Sequence, residues 1–305
     1  MGCWRHKDLG QRLHKQMSDA NSAGDLLPPI LRGKNPLARS EFTPENLLRE
    51  ARRQKALAID TVPEVCILDP DGDMVRHLIA TGCAHRHVAW ACYHTELYAF
   101  NYEGLNYGIV GCAVGAPFAV LVSEELFASG CKLLVSMTSA GQILPIEAPP
   151  YFIIIDRAMR DEGTSYHYLA AAEYSTADDA LLRLSKEALA TAGIAVHFGA
   201  TWTTDAPFRE TADAIDTATK AGTLAVEMEA AALYAFAQAR KKPVLCIAHV
   251  TNQLGRIEGD FEKGVADGAE EALKLIATVA RAYQRRVSVQ SGSLEFMTSG
   301  PDKSV

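Results

Sequence analysis

The chain has 305 residues, 48% of them hydrophobic and 22% charged, with a formal net charge of −7. That length holds one large domain or two ordinary ones, and the negative balance argues against a general nucleic-acid-binding surface. Seven cysteines (Cys3, Cys66, Cys83, Cys92, Cys112, Cys131 and Cys246) without a CxxC pair point to reduced thiols in a cytoplasmic protein, not to a disulfide framework.

The opening residues MGCWRHKDLGQRLHKQ are charged and lack an apolar core, which reads as no secretory signal. Residues 1–60 read as a polar N-terminal extension with one helix over 42–58, capped by Thr43 with Pro44 in its first turn. Strands follow at EVCILD (64–69), over 86–100 and at NYGIVGCAV (106–114). PFAVLVSEELFASG (117–130) reads as a helix. The apolar stretch 108–135 around it is broken by Glu124, Glu125 and glycines, so it predicts no membrane span.

KLLVSMT (132–138) and YFIIID (151–156) are buried-strand patterns, and residues 178–193 form an amphipathic helix ended by Gly193. IAVHFGA (194–200), TLAV (223–226) and PVLCIAHVT (243–251) are further strands. A small, apolar helix follows Glu227 and Glu229, and a closing helix spans 261–286. Residues 287–305 are Ser/Gly-rich and read as a flexible tail. Strands alternating with such helices predict one α/β domain over 61–286, parallel or mixed β-structure flanked by helices.

Ligands of α/β sheets gather at the carboxyl ends of the strands. Here those ends carry PDGDMVR, CAVGAP, TSAGQ, TWTTDAPFRET, EMEAA and TNQ, which is more polar convergence than a structural sheet needs. Glycine turns that enter helices offer backbone N–H groups to an anion, with Arg76 as a counter-charge. Each turn alone is an ordinary connector, and a glutamate at a helix start ordinarily serves the dipole. His85 and His87 lack the carboxylate or His company of a metal site, so no metal or cofactor is expected.

These blocks together carry a resemblance. VEMEAAALYAFA (226–237) resembles the ribose-binding signature of the nucleoside phosphorylase family, of the purine nucleoside and uridine phosphorylase type. GDMVR (72–76) is similar to its GDPxR phosphate loop and YHTEL (93–97) to its YRxEL strand. LLVSMTSAGQILP (133–145) resembles its RxGTxGxxxP block and TWTTDAPFRET (201–211) its base-facing loop. The likeness covers residues 62–283.

The resemblance implies a mixed sheet folded into a distorted barrel and a homo-oligomer (a dimer, a trimer of dimers or a hexamer). Its partners are a small-molecule nucleoside and phosphate, with phosphate as co-substrate and no other cofactor, no nucleic acid and no membrane. It implies ribose contacts from Met228 and Glu229, supported by Glu227. Phosphate contacts fall to Gly72, Arg76, His94, Thr138 and Ser139, and base contacts to Gly141, Thr204, Phe208, Arg209 and Asn252. Glu229, Asn252 and Arg76 are the implied catalytic residues. The chain departs from the pattern where His94 and Ser136 stand in place of arginines. Asn252 stands where hexameric members carry an acid, and an amide cannot protonate a base. It suits a 6-oxopurine or a pyrimidine better than adenine.

Three functions compete. The first is phosphorolysis of a nucleoside to free base and ribose 1-phosphate. The second is hydrolysis by a nucleosidase, with Glu227 as a weak candidate carboxylate to activate water and Asp71 or Asp73 as another. The third is a nucleoside-binding protein that has lost the chemistry.

Overall fold

In the computed structural model, residues 27–256 and 258–298 are described. The reading of residues 1–26 as extension, and Cys3 with it, lies outside them, as do residues 299–305 of the expected tail. The first half runs α1 (Pro44–Lys55), β1 (Val65–Asp69), α2 (Asp73–Ala80), β2 (Ala84–Arg86), β3 (Tyr98–Tyr102), β4 (Leu105–Gly111), α3 (Ala116–Ala128) and β5 (Leu133–Gln142). The second runs β6 (Tyr151–Asp161), β7 (Tyr174–Thr176), α4 (Asp179–Ala192), β8 (His197–Thr204), α5 (Ala212–Lys220), β9 (Ala225–Glu227), α6 (Ala230–Arg240), β10 (Val244–Asn252) and α7 (Ala269–Thr298).

β5 bonds β10, β10 bonds β6, β6 bonds β8, β8 bonds β9, and β9 returns to β5. These five strands close a mixed barrel, as the resemblance implied. β1, β4, β3 and β2 extend it outward from β5, and β7 adds to β6. Closure leaves the barrel strands no free edge.

The apolar runs VCIL of β1, YGIV of β4 and LLV of β5 follow from burial on both faces. Cys66, Leu68, Val110 and Leu134 pack toward α3 and α6 on one side. Val65, Ile67, Ile109, Leu133 and Val135 pack toward α2 and α7 on the other. Helix α6, AAALYAFAQAR, is apolar nearly all round because Ala230 to Phe236 are all buried, as a helix inside a core must be. Its Tyr234 hydroxyl donates to the Ile155 carbonyl at 2.6 Å and accepts the Cys246 amide at 3.0 Å.

Several boundaries differ from the sequence reading. The strand expected over 86–100 is two short strands with a loop over 87–97 between them. The closing helix begins at Ala269, not 261, because Gly264, Ala266, Asp267 and Gly268 all take positive φ, which an α-helix cannot include. That helix then runs to Thr298, so the boundary drawn at 287 falls inside it; extending an existing helix adds one bond per residue and needs no new nucleus. Helix α1 forms where expected, with the Thr43 hydroxyl accepting the Asn46 amide at 3.3 Å. Its Leu48 and Ala51 bury against Ala91 beside Ala128.

Candidate functional site

Glu227 ends β9 and Glu229 is the N-cap of α6, so the helix opens one residue after the carboxylate pair. Both side chains are buried. Glu227 Oε2 accepts the amides of Glu229 and Ala230, each at 2.7 Å. Its Oε1 accepts the hydroxyls of Thr201 and Thr203 from β8, and Thr203 in turn accepts the Ala231 amide at 2.9 Å. Three amides at the start of the helix, those of Glu229, Ala230 and Ala231, are thereby satisfied. Glu227 is saturated by four protein donors.

Glu229 faces the opposite way. Its Oε1 accepts the Gly115 amide at 2.7 Å, at the mouth of α3, and its Oε2 accepts the Thr138 hydroxyl at 2.8 Å, from β5. Burial, and next the charge of Glu227, push the Glu229 carboxyl up to about 8; the Gly115 and Thr138 bonds pull the other way. Burial raises Glu227 as well, against its four donors. A carboxyl poised near neutrality at converging strand ends is what site chemistry uses.

Beside Thr138 lies a small acidic corner lined by Asp69, Asp71, Asp73, Thr138, Ser139, His249 and Asp267. The buried Asp69 carboxylate accepts the amides of Gly72 at 3.1 Å and Val75 at 2.9 Å, and burial raises it to about 7. Gly72 takes φ +76 as N-cap of α2, a conformation glycine adopts without strain. Its amide is thus spent on Asp69. Asp71 Oδ2 accepts the Ser139 amide at 3.1 Å. Arg76 donates to the Asp71 carbonyl at 3.0 Å and pairs with Asp73. Lys263, from the loop before α7, also bonds Asp73 and stands 4.0 Å from Asp71. Burial, and then Lys263, lower His249 to about 4, so its ring, stacked on Phe152, is neutral at physiological pH.

Gly141 and Asn252 pair across β5 and β10. A Cβ at Gly141 would meet Leu254 Cδ2 at 2.3 Å and Asn252 Oδ1 at 3.3 Å, so the glycine admits the Leu254 side chain. Asn252 Oδ1 accepts the Leu254 amide at 2.9 Å. Met228 is half-buried between the two glutamates. Thr204 is buried and accepts the Ala206 amide at 3.1 Å.

The remaining expected contacts are not assembled within one chain. Phe208 is 99% exposed and stacks on nothing. Arg209 is exposed beside it on a short turn. His94 is exposed and lies edge-on to Phe118 at 6.4 Å. Ser136 is buried, and its hydroxyl has no partner.

Two features went unread in the sequence. The first is the pairing of Asp71 with Lys263, which meet only through tertiary contact, and nothing local marks Lys263. The second is RDEGTSYHY, residues 160–168, from the end of β6 onward. The buried Arg160 donates to Ser165 Oγ at 2.8 Å and to the Ala170 carbonyl at 2.7 Å, and lies over the Tyr166 ring. Glu162 accepts the amides of Thr164 and Ser165. Alternating charge, glycine and hydroxyls within nine residues were the available signal.

Among the described residues no group of three His, Cys, Asp or Glu could hold a metal ion, and no helix is long and apolar enough to cross a membrane. The fold matches solved structures: uridine phosphorylase from Vibrio fischeri ES114 (TM-score 0.58, 22% identity, 73% of this chain and 92% of that one), and the 5'-methylthioadenosine/S-adenosyl homocysteine nucleosidase of Campylobacter jejuni (TM-score 0.60, 17% identity, 72% and 98%). In sequence the chain is 27% identical over 235 residues to a uridine phosphorylase of Thermococcus kodakarensis, covering 68% of this chain and 84% of that protein. It is 28% identical over 216 residues to a guanosine phosphorylase of Halorubrum lacusprofundi, covering 67% and 86%. The model of the phosphorylase superfamily matches residues 64–285, the span that holds β1 to β10 and every residue of the Glu229 site, and on that match the chain belongs to the phosphorylase superfamily.

Proposed function

We propose that this chain cleaves the N-glycosidic bond of a nucleoside and passes the pentose to inorganic phosphate. The observation that carries this reading is Glu229: a buried carboxylate at the meeting of β4, β5 and β9, held by the Gly115 amide and the Thr138 hydroxyl. Each carboxylate oxygen keeps a lone pair for a sugar hydroxyl. As the C1′–N bond lengthens the sugar gains positive charge, which a nearby carboxylate favours. A phosphate oxygen then bonds C1′, and the electron pair of the C1′–N bond leaves with the base.

The departing base takes its proton from solvent, because Asn252 offers only hydrogen bonds. Its amide suits the carbonyl of a 6-oxopurine or a pyrimidine. Thr138, Ser139 and Arg76 form the acceptor side in this reading; Gly72, expected there, shapes the turn but has its amide taken by Asp69. The exposed His94, Phe208 and Arg209 act toward a neighbouring copy in a homo-oligomer. Six cysteines among the described residues are free thiols, which fits a reducing cytoplasm.

One observation favours hydrolysis as a second reading. Asp71 places a carboxylate on the Ser139 amide, where it could orient water. Incubation with inosine, guanosine, uridine, thymidine and adenosine, with and without phosphate, separates the two. Base release that needs phosphate and yields ribose 1-phosphate supports the proposal. Release of free ribose regardless of phosphate replaces it with the nucleosidase, and no release from any nucleoside overturns both for these substrates.

A further inference from the structure

The acceptor corner already contains an anion, and it belongs to the protein. Asp71 Oδ2 accepts the Ser139 amide at 3.1 Å and stands 4.0 Å from Lys263 Nζ. One carboxylate oxygen is therefore shared between a backbone N–H and an ammonium, the two kinds of donor that recognise a phosphate oxygen. Lys263 holds its place by bonding Asp73, whose other oxygen holds Arg76. Asp73 thus draws two cations to one corner. Ser136, three residues before Ser139 on β5, brings no charge, and its buried hydroxyl, without a partner among the described residues, does not line the corner.

Resting on the phosphorolytic reading above, we propose that Lys263 is the acceptor-site cation of this enzyme, and that Asp71 is an internal plug which a phosphate oxygen displaces from the Ser139 amide. The groups facing the corner are consistent with this arrangement. His249 is neutral, Asp69 is spent on the amides of Gly72 and Val75, and Asp267, beside Gly268, adds a carboxylate whose charge acts on Lys263. With Asp71 in place, the carboxylates offset the cations and the corner attracts phosphate weakly. With Asp71 swung out, the Ser139 amide and Lys263 face the same vacated position. The side chain of Asp71 is 30% exposed, so it has room to turn toward solvent. Lys263 enters from the loop before α7, a segment no short motif connects with the GDMVR loop.

The test is calorimetric titration of the full chain with inorganic phosphate in a phosphate-free buffer at neutral pH, on wild type, Lys263→Gln, Asp71→Asn and the exposed α7 variant Lys274→Gln. Asparagine keeps an oxygen for the Ser139 amide, and thermal melts confirm that each variant is folded. Removing the ammonium is expected to weaken phosphate roughly ten- to a hundredfold. Asp71→Asn is expected to tighten it several-fold, and Lys274→Gln to leave it unchanged. In turnover the KM for phosphate should follow these shifts while the KM for the nucleoside stays put.

Unchanged phosphate affinity in Lys263→Gln overturns the proposal, as does unchanged or weaker binding in Asp71→Asn. A wild type that takes up no phosphate yet releases base, and loses that release in Asp71→Asn, overturns it in favour of a water-orienting Asp71. Phosphate binding that shifts as expected without cleavage of any nucleoside keeps the proposal and removes the activity instead.

Discussion

Glu227 accepts the backbone amide of Glu229 at 2.7 Å, so one carboxylate of the pair fixes the other by its main chain. The division of labour follows. Glu227 spends its oxygens on the protein, while Glu229 points away from it toward Gly115 and Thr138.

Glu229→Gln should keep the fold and lose the chemistry. A glutamine can still accept the Gly115 amide and donate to Thr138, but it carries no charge to meet a cationic sugar. A fall in kcat of roughly a hundredfold or more is expected, the size seen when one charge-stabilising group is removed from a site. Steady-state kinetics beside a thermal melt check it, and an unaffected kcat would remove Glu229 from the mechanism.

Glu227→Ala should act on stability first. It strips the acceptor from Thr201, Thr203 and the amides of Glu229 and Ala230. A loss of about 3 kcal/mol or more is expected, since buried donors left without partners cost about 1–3 kcal/mol each and partly relax. Urea unfolding measures it. Glu227→Gln, which keeps one acceptor oxygen, should lose clearly less.

The pH dependence has a definite sign. Burial first raises Glu229 to about 8 and Asp69 to about 7, so the folded chain holds protons that the unfolded chain releases. Stability from these two groups is complete below the ordinary carboxylate range and is lost as pH rises through about 7 and 8. His249, lowered to about 4, works in the opposite sense: its contribution is present above its ordinary value of ~6.5 and fades as pH falls. Between roughly pH 6.5 and 8 only the carboxyl effect remains, so Tm should drop across that window, and less steeply in Glu229→Gln. If the ionised form drives cleavage, kcat/KM should climb over the same window. A Tm that rises there would contradict the assignment.

Gly141→Ala probes the loop over the site. Its new Cβ collides with Leu254 Cδ2, and Leu254 must yield. The cost of such overpacking is about 1–3 kcal/mol, expected chiefly as a higher KM for the nucleoside. Leu254→Ala in the same chain should restore most of the loss, and a double variant no better than the single one would place the strain elsewhere.

The parts of this molecule that were legible in the sequence are those written locally. β1, α3 and α4 follow from apolar period and glycine stops, and the glutamate pair stands out because carboxylates are costly beside an alanine-rich buried helix. β5 and β6 run further than their apolar cores suggested. Their polar ends beyond the expected strands, SAGQ (139–142) and RAMRD (157–161), are strand residues, and polarity there mimics a loop. The helix expected from 261 fails over 264–268 through positive φ that only two of the residues, both glycines, advertise. Asp71 with Lys263 could not be read at all, because their proximity depends on how the loop before α7 folds back over α2.

The ring of strands sets an order of assembly. β10 lies between β5 and β6, although it is the last strand to emerge during synthesis. Until residue 252 is available the barrel has a gap, and β5 and β6 have no shared neighbour to hold them in register. Pairings of such long sequence separation form slowly. The Glu229 pocket therefore comes into being late and all at once, and a nascent chain stalled before β10 holds the glutamates without the site.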